Sequence, residues 1–360
     1  MSIHFHRLIV KDIKKETPEC VSVLFDVPEE LKKDFQFSQG QSLTMRTTIN
    51  GEEVRRTYSI CSSPLENQLK VAIKKVEGGL FSGFANEQLK KGDALEVMQP
   101  VGKFYTELNP AQKRNYLAFA AGSGITPVLS LIKTTLAIES ASHFTLVFGN
   151  KNRSNIIFFE ELESLKNKYM ERFNLVHVLS RERTDTDINF GRINTDKLIE
   201  LNKLVDYSCI DEFFICGPEE MIFCVKDFLE TKGIDKKKIH FELFTSAGAK
   251  AQSTRHKVQG TDTQGPQSNI TVKVDGRSFA FNLSLNSETT ILDAALKQAA
   301  DLPFACKGGM CCTCKAKLLE GEVIMDVHWG LEQEEVEKGY ILTCQSHPKT
   351  EKVVVDFDVK

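Results

Sequence analysis

The sequence predicts a multidomain chain: an antiparallel β-barrel, a doubly wound α/β sheet and a small α+β unit, in that order. Three observations carry this. Short runs of alternating apolar and polar residues fill residues 5 to about 104, near-continuous apolar strands alternate with helical stretches after Pro110, and five of the ten cysteines crowd the C-terminal quarter.

The 360 residues suffice for two or three buried cores, and 41% hydrophobic with 26% charged side chains is ordinary for a soluble globular protein. A formal net charge of -3 supplies no global field toward nucleic acid or an anionic membrane, so neither is expected as a partner. The opening Met1-Ser2-Ile3-His4-Phe5-His6-Arg7 lacks the apolar stretch of a signal peptide, and no later run approaches about 18 apolar residues. The expectation is a cytoplasmic protein. Disulfides are not kept in that reducing compartment, so clustered cysteines there ask for another purpose.

In the first domain (1–108), runs such as Phe5-His6-Arg7-Leu8-Ile9-Val10, Val21-Ser22-Val23-Leu24-Phe25 and Leu69-Lys70-Val71-Ala72-Ile73 are separated by Gly, Pro and Asn, the pattern of antiparallel strands closing a barrel. In the second (109–245), residues 116–121, 144–149, 175–179 and 213–216 read as buried parallel strands, with helices near 127–137, 159–168, 195–201 and 218–232. Such a fold takes a nucleotide at the carboxyl ends of its strands. Residues 246–268, rich in Ala, Gly, Ser, Thr, Gln and Lys, read as a flexible linker. The third domain (269–360) opens with Ile270-Thr271-Val272-Lys273-Val274, turns at Asp275-Gly276 and has a helix around 291–299.

Cys306, Cys311 and Cys314 follow the spacing C-x4-C-x2-C, and Cys344 comes after 29 intervening residues. This is the plant-type ferredoxin spacing, in which four thiolates hold two irons. A zinc site would show paired C-x2-C knuckles, and structural cysteines have no reason for the pattern. Gly308 and Gly309 leave room for backbone amides to approach the cluster sulfurs. Cys312 reads as a bystander, and Ala316 as a position open to variation.

Within the barrel stands Arg56-Thr57-Tyr58-Ser59-Ile60-Cys61-Ser62. A guanidinium suits a diphosphate, an aromatic face suits a flat ring, and a hydroxyl suits a ring nitrogen that gains a proton. Taken alone, Arg and Tyr read equally as cross-strand surface partners. Further on, Gly78-Gly79-Leu80-Phe81-Ser82 opens a helix with glycines and a hydroxyl suited to a pyrophosphate, and Pro100-Val101-Gly102-Lys103-Phe104 follows. Together these resemble the ferredoxin-NADP reductase superfamily, with its R-x-Y-S motif, second phosphate loop and closing P-x-G-x-F turn. The resemblance implies FAD in preference to FMN, with Arg56 on the pyrophosphate, Tyr58 against the isoalloxazine, Ser59 near its reacting nitrogen, and Gly78, Gly79 and Ser82 at the phosphates.

Strand 116–121 runs into Gly122-Ser123-Gly124-Ile125-Thr126-Pro127 and an apolar helix. Two glycines let the backbone approach a pyrophosphate, and Pro127 suits a helix's first turn. The loop resembles the superfamily's G-x-G-x-x-P form, which makes Gly122, Gly124, Thr126 and Pro127 candidates for holding NAD(P)H. Cys216-Gly217-Pro218-Glu219-Glu220-Met221 ends a strand and begins a helix, and could be read by itself as a buried Cys with a Gly-Pro turn. It resembles the C-G-P-x-x-M element, which implies Cys216 beside the nicotinamide with Gly217, Pro218 and Met221 shaping its entry. No acid at Gly149-Asn150 is placed to hold a ribose 2′-hydroxyl. Ser180-Arg181 resembles the pair that grips the 2′-phosphate of NADPH, with Arg153 and Arg183 as further basic candidates, so NADPH is expected in preference to NADH. Relatives also bring a Glu and an aromatic to the flavin near His240-Phe241-Glu242-Leu243-Phe244, which adds Glu242 and Phe244; a core strand with one exposed acid reads nearly as well.

Nicotinamide gives up two electrons together and a 2Fe-2S cluster accepts one, so a flavin between them reconciles the two. The order of modules resembles the reductase components of bacterial multicomponent oxygenases over nearly the whole chain, including Gly51-Glu52-Glu53-Val54-Arg55-Arg56 and Ala305-Cys306-Lys307-Gly308-Gly309. It implies a β-grasp ferredoxin domain, a route from NADPH through FAD and the 2Fe-2S cluster to the oxygenase component of a multicomponent di-iron monooxygenase, and catalytic contacts from Ser59, Tyr58 and Cys216. Two other readings are a reductase for a different oxygenase or ferredoxin-type acceptor, and a non-catalytic electron-transfer or sensor protein. The intact loops argue against the last.

Overall fold

The alternating N-terminal runs form six antiparallel strands: β1 (Phe5–Thr17), β2 (Cys20–Asp26), β3 (Ser42–Ile49), β4 (Glu52–Ser59), β5 (Leu69–Lys74) and β6 (Ala94–Met98), in the order β4-β3-β6-β1-β2-β5. Alternation turns Leu8, Val10, Val23, Leu43, Met45, Val71 and Ile73 inward to one core. The sheet's two ends meet where Ile60, just past β4, bridges Val71 of β5 and the Cys61 amide donates to the Lys70 carbonyl (2.9 Å). The predicted barrel thus closes at the strand that carries the R-x-Y-S motif. Helix α1 (Leu80–Glu87) buries Phe81 and Ala85 in the same core. The computed structural model describes residues 4–244, 265–298, 300 and 302–359.

The second sheet is wholly parallel: β7 (Asn115–Ala121), β8 (His143–Asn150), β9 (Phe173–Leu179), β10 (Glu212–Gly217) and β11 (Ile239–Leu243), in the order β11-β10-β7-β8-β9. Leu117 to Ala120 are fully buried because helices cover the sheet. These helices are α2 (Ile125–Ile138), α3 (Phe159–Lys168), α4 (Thr195–Leu201) and α5 (Glu219–Thr231). The chain winds outward from β7 to β9, then crosses back to β10. The loops after β7 and β10 therefore part on either side of a switch point, where open α/β sheets bind ligands.

Barrel and parallel sheet make one compact unit, Phe5–Phe244. The segment just after the flavin motif is fixed to α2: Ser130 Oγ donates to the Ser62 carbonyl (2.7 Å), Ser63 and Thr134 hydroxyls pair at 2.9 Å, and buried Lys133 pairs with Glu66 (2.8 Å) and Glu161. Phe104 of the P-x-G-x-F turn packs edge-on to Phe214 of β10 (5.4 Å).

The C-terminal unit holds β12 (Gln267–Val274), β13 (Arg277–Ser284), α6 (Ile291–Leu296), β14 (Lys315–Glu320), β15 (Val323–Met325), α7 (Gln333–Glu337), β16 (Tyr340–Leu342), β17 (Ser346–Pro348) and β18 (Lys352–Asp356). Its main sheet runs β13-β12-β18-β14-β16, mixed because β12 and β18 are parallel, and β15 pairs with β17. Most of the expected linker, residues 246–264, lies outside the described residues. Its end needs correcting: Gln267 and Ser268 belong to β12, paired with Ser284 and Leu283. Their polar side chains hid a strand that backbone pairing defines.

Candidate functional site

Ser59 ends β4, buried, and its hydroxyl donates to Glu242 Oε2 at 3.0 Å. Glu242 lies on β11 directly beside Cys216 of β10 in the parallel register. Three candidates from separate strands thus converge at the switch point. Burial pushes the Cys216 thiol well up, and the Glu242 charge adds to this, so the group stays a neutral thiol. Phe244, just beyond β11, is 40% exposed.

Gly124 is where the two loops interlock. A Cβ there would lie 2.0 Å from the Cys216 carbonyl oxygen and 2.8 Å from the Gly217 nitrogen, so only glycine lets the loop after β7 pass the end of β10. This close approach of backbone to backbone is a second demand beside the one sequence reading gave, room for a phosphate. Gly122 takes a φ of +54°, and Gly217 packs under Met221, whose Cε would meet a Cβ at 2.7 Å. Thr126 Oγ1 donates to the Ser123 carbonyl (3.0 Å), holding the turn, while Pro127 stands in the first turn of α2 and Pro218 caps α5.

On the flavin side, the Tyr58 ring packs tilted on Phe81 of α1 at 5.6 Å, which ties the R-x-Y-S strand to the Gly78-Gly79 loop. Burial raises the Tyr58 phenol against the lowering charge of Arg56. Arg56 Nη1 donates to the Arg55 carbonyl (2.7 Å). Gly78 needs its positive φ of +69°; at Gly79 a Cβ would stand 2.5 Å from Ser82 Oγ. Ser82 is buried and its hydroxyl is used inside the loop, accepting from the Val76 amide (3.1 Å) and donating to the Gly79 carbonyl (3.3 Å). It shapes the loop, leaving the uncapped N-terminus of α1 to offer amides to an anion. Sequence reading missed Lys74: at the end of β5 its Nζ lies 3.6 Å from where a Gly122 Cβ would be. Nothing in sequence spacing links a barrel lysine to that turn.

Ser180 and Arg181 extend β9 past its last residue, their amides donating to the Asn150 (2.9 Å) and Lys151 (2.8 Å) carbonyls. Arg181 and Arg153 line one cleft; Arg183 pairs with Asp187 (3.6 Å) and lies over Phe190.

In the C-terminal unit the thiols approach in pairs, Cys306 with Cys311 and Cys314 with Cys344. Among the described residues no three ligating side chains surround a single point. Two irons sharing four thiolates ask for such pairs. The Gly308 amide donates to Cys306 Sγ (3.3 Å) and the Cys306 amide to Cys311 Sγ (3.5 Å). The Cys311 thiol and the Gly308, Cys311 and Met310 amides lower Cys306, while the Cys306 thiol and burial raise Cys311. Gly309 has φ +76°, and a Cβ there would strike Val327 at 2.8 Å. Gln345 Nε2 ties the halves together, donating to the Lys307 (2.8 Å) and Cys344 (3.0 Å) carbonyls. The donor set and amide-to-sulfur bonds fit a 2Fe-2S cluster. Cys312 donates instead to the Gly330 carbonyl (2.7 Å). The expected tolerance at Ala316 does not suit its 1% exposure, because a larger side chain would overpack the core.

A barrel bearing R-x-Y-S, a parallel sheet whose glycine turn abuts it, and paired thiols in a ferredoxin-like unit define a flavin-dependent NAD(P)H oxidoreductase with its own 2Fe-2S centre. Residues 7–105 match the oxidoreductase FAD-binding domain family, 119–227 the oxidoreductase NAD-binding domain and 272–349 the 2Fe-2S iron-sulfur cluster binding domain. The chain belongs to the family of reductase components of multicomponent oxygenases. It is 43% identical to one of the chains that make up the 1,2-phenylacetyl-CoA epoxidase of Escherichia coli K12, over 99% of this chain and 98% of that one. It is 32% identical to the ferredoxin reductase component of 3-ketosteroid-9-alpha-monooxygenase of Rhodococcus rhodochrous, over 97% and 96%. Among solved structures, phthalate dioxygenase reductase shares the fold at 22% identity and TM-score 0.59 over 98% of each chain. A type IV self-sufficient cytochrome P450 monooxygenase does so at 18% and 0.69, over 98% of this chain and 41% of that one. No helix among the described residues is long and apolar enough to cross a membrane.

Proposed function

We propose that this reductase draws electrons from NADPH and delivers them to a di-iron oxygenase that epoxidises the ring of phenylacetyl-CoA, in the cytoplasm. The observation that carries the partner is the 43% identity with a chain of the Escherichia coli phenylacetyl-CoA epoxidase, along nearly the whole of both chains.

Bound flavin would supply the two-to-one electron conversion required between nicotinamide and cluster. Arg56 and the Gly78-Gly79 loop would hold its phosphates, and Tyr58, backed by Phe81, would face its ring. Ser59, oriented by Glu242, would offer a fixed hydroxyl to a ring nitrogen that exchanges a proton. Cys216 would be an uncharged wall for the nicotinamide, with Gly217 beside it holding Met221 close. The paired thiols of Cys306, Cys311, Cys314 and Cys344 would hold the two irons.

Reconstitution with the oxygenase component of phenylacetyl-CoA epoxidase tests the partner: NADPH-dependent epoxide formation is expected. Full cytochrome c reduction with no epoxide would assign the reductase to another oxygenase.

A further inference from the structure

Part of the wall of the cleft beside β8 and β9 comes from the flavin barrel. The cleft, of about 850 Å³, is lined by Arg153 and Arg181 from the parallel sheet and by Lys14 and Lys15 from β1. Strand β1 pairs with β6 only from Phe5 to Ile9; beyond this it pairs with β2 alone, with irregularities after Val10 and Lys15. Its second half is therefore an edge that reaches the nucleotide half of the unit. Lysines on an edge strand also deter edge-to-edge pairing, but these two share a cleft with two arginines.

The coenzyme's direction follows from the topology. Its nicotinamide belongs beside Cys216 on β10 and its pyrophosphate at the Gly122 turn on β7, so its adenosine end extends over β8 and β9. Three of the cleft's four carboxylates are already engaged. Glu16 holds Lys14 (3.2 Å) and accepts from Ser22 Oγ (2.6 Å), Glu161 pairs with Lys133, and Glu182 accepts from the Arg153 amide (2.8 Å). The Arg153 guanidinium lies over Phe159 at 4.6 Å, held at the cleft wall.

We propose that the flavin barrel completes the coenzyme site: Lys15, with Lys14 beside it, meets the adenosine 2′-phosphate from across the cleft and shares it with Arg181 and Arg153. This rests on the NADPH assignment, and it makes coenzyme selectivity a joint property of both domains.

The test is the exposed double variant Lys14→Ala/Lys15→Ala in the full chain. The KM for NADPH should rise about tenfold and that for NADH less than about twofold. By calorimetry, adenosine 2′,5′-bisphosphate should bind about tenfold more weakly while 5′-AMP binds as before, and Lys15→Arg should restore most of the loss. A wild type that prefers NADPH together with a double variant of unchanged affinities would overturn the barrel's role and leave the coenzyme assignment standing. Equal weakening of both probes would also overturn it. If the wild type binds adenosine 2′,5′-bisphosphate no more tightly than 5′-AMP, the NADPH assignment fails and the phosphate site with it.

Discussion

The cluster loop and the meeting point of Ser59, Glu242 and Cys216 are assembled by opposite means. Three of the four candidate cluster cysteines lie within one turn-rich segment, 306–314, and the fourth is carried in by β16, which pairs Leu342 with Lys315 beside Cys314. Ser59 and Glu242, by contrast, meet across 183 residues, and Cys216 joins them only because β10 lies next to β11. A metal centre built on local spacing can lose its function through one side chain without disturbing its neighbours. A site built where a barrel abuts a parallel sheet depends on the packing of both.

Substitutions should expose that difference. The largest effect is expected from Cys306→Ser, which breaks one thiol pair. The cluster's visible absorbance should vanish and transfer to a one-electron acceptor should fall more than about 100-fold, while flavin reduction by NADPH stays within about twofold. Unimpaired one-electron transfer would show that the flavin delivers electrons directly.

Gly124→Ala probes the packed site. Its Cβ cannot lie 2.0 Å from the Cys216 carbonyl, so the loop must shift. A loss of about 1–3 kcal/mol is expected, each kcal/mol lowering the Tm of this 240-residue unit by about 2–4 °C. The coenzyme's KM should rise and the cluster spectrum stay unchanged; a bleached spectrum would contradict the separation of the two regions. The smallest effect is expected from Ser59→Ala, which slows flavin reduction by about tenfold at little cost to folding. A cycle with Glu242→Gln should show a coupling of about 0.5–3 kcal/mol, and additivity would deny the pair a joint role.

The same contrast governs what could be read from the chain. The C-x4-C-x2-C spacing carries its chemistry in the sequence, since few other demands produce it. Strands 116–121, 144–149 and 213–216 were legible because burial on both faces leaves continuous apolar runs. The demand on Gly124 and the reach of Lys74 and Lys15 were not legible, because each depends on a partner strand that only the fold supplies. Ser82 shows a subtler limit: its residue type matched a phosphate loop, but the structure uses the hydroxyl to tie the loop itself. At Gln267 and Ser268 polar composition concealed a strand, since backbone pairing sets where a strand begins.

The most direct test of a flavin and a cluster working in one chain is an anaerobic titration with NADPH, followed by visible absorbance. The purified protein should take up about three electrons per chain, about two on the flavin and one on the cluster, and Cys306→Ser about two. Equal uptake by the two proteins, or bleaching of the flavin bands alone in the wild type, would contradict it.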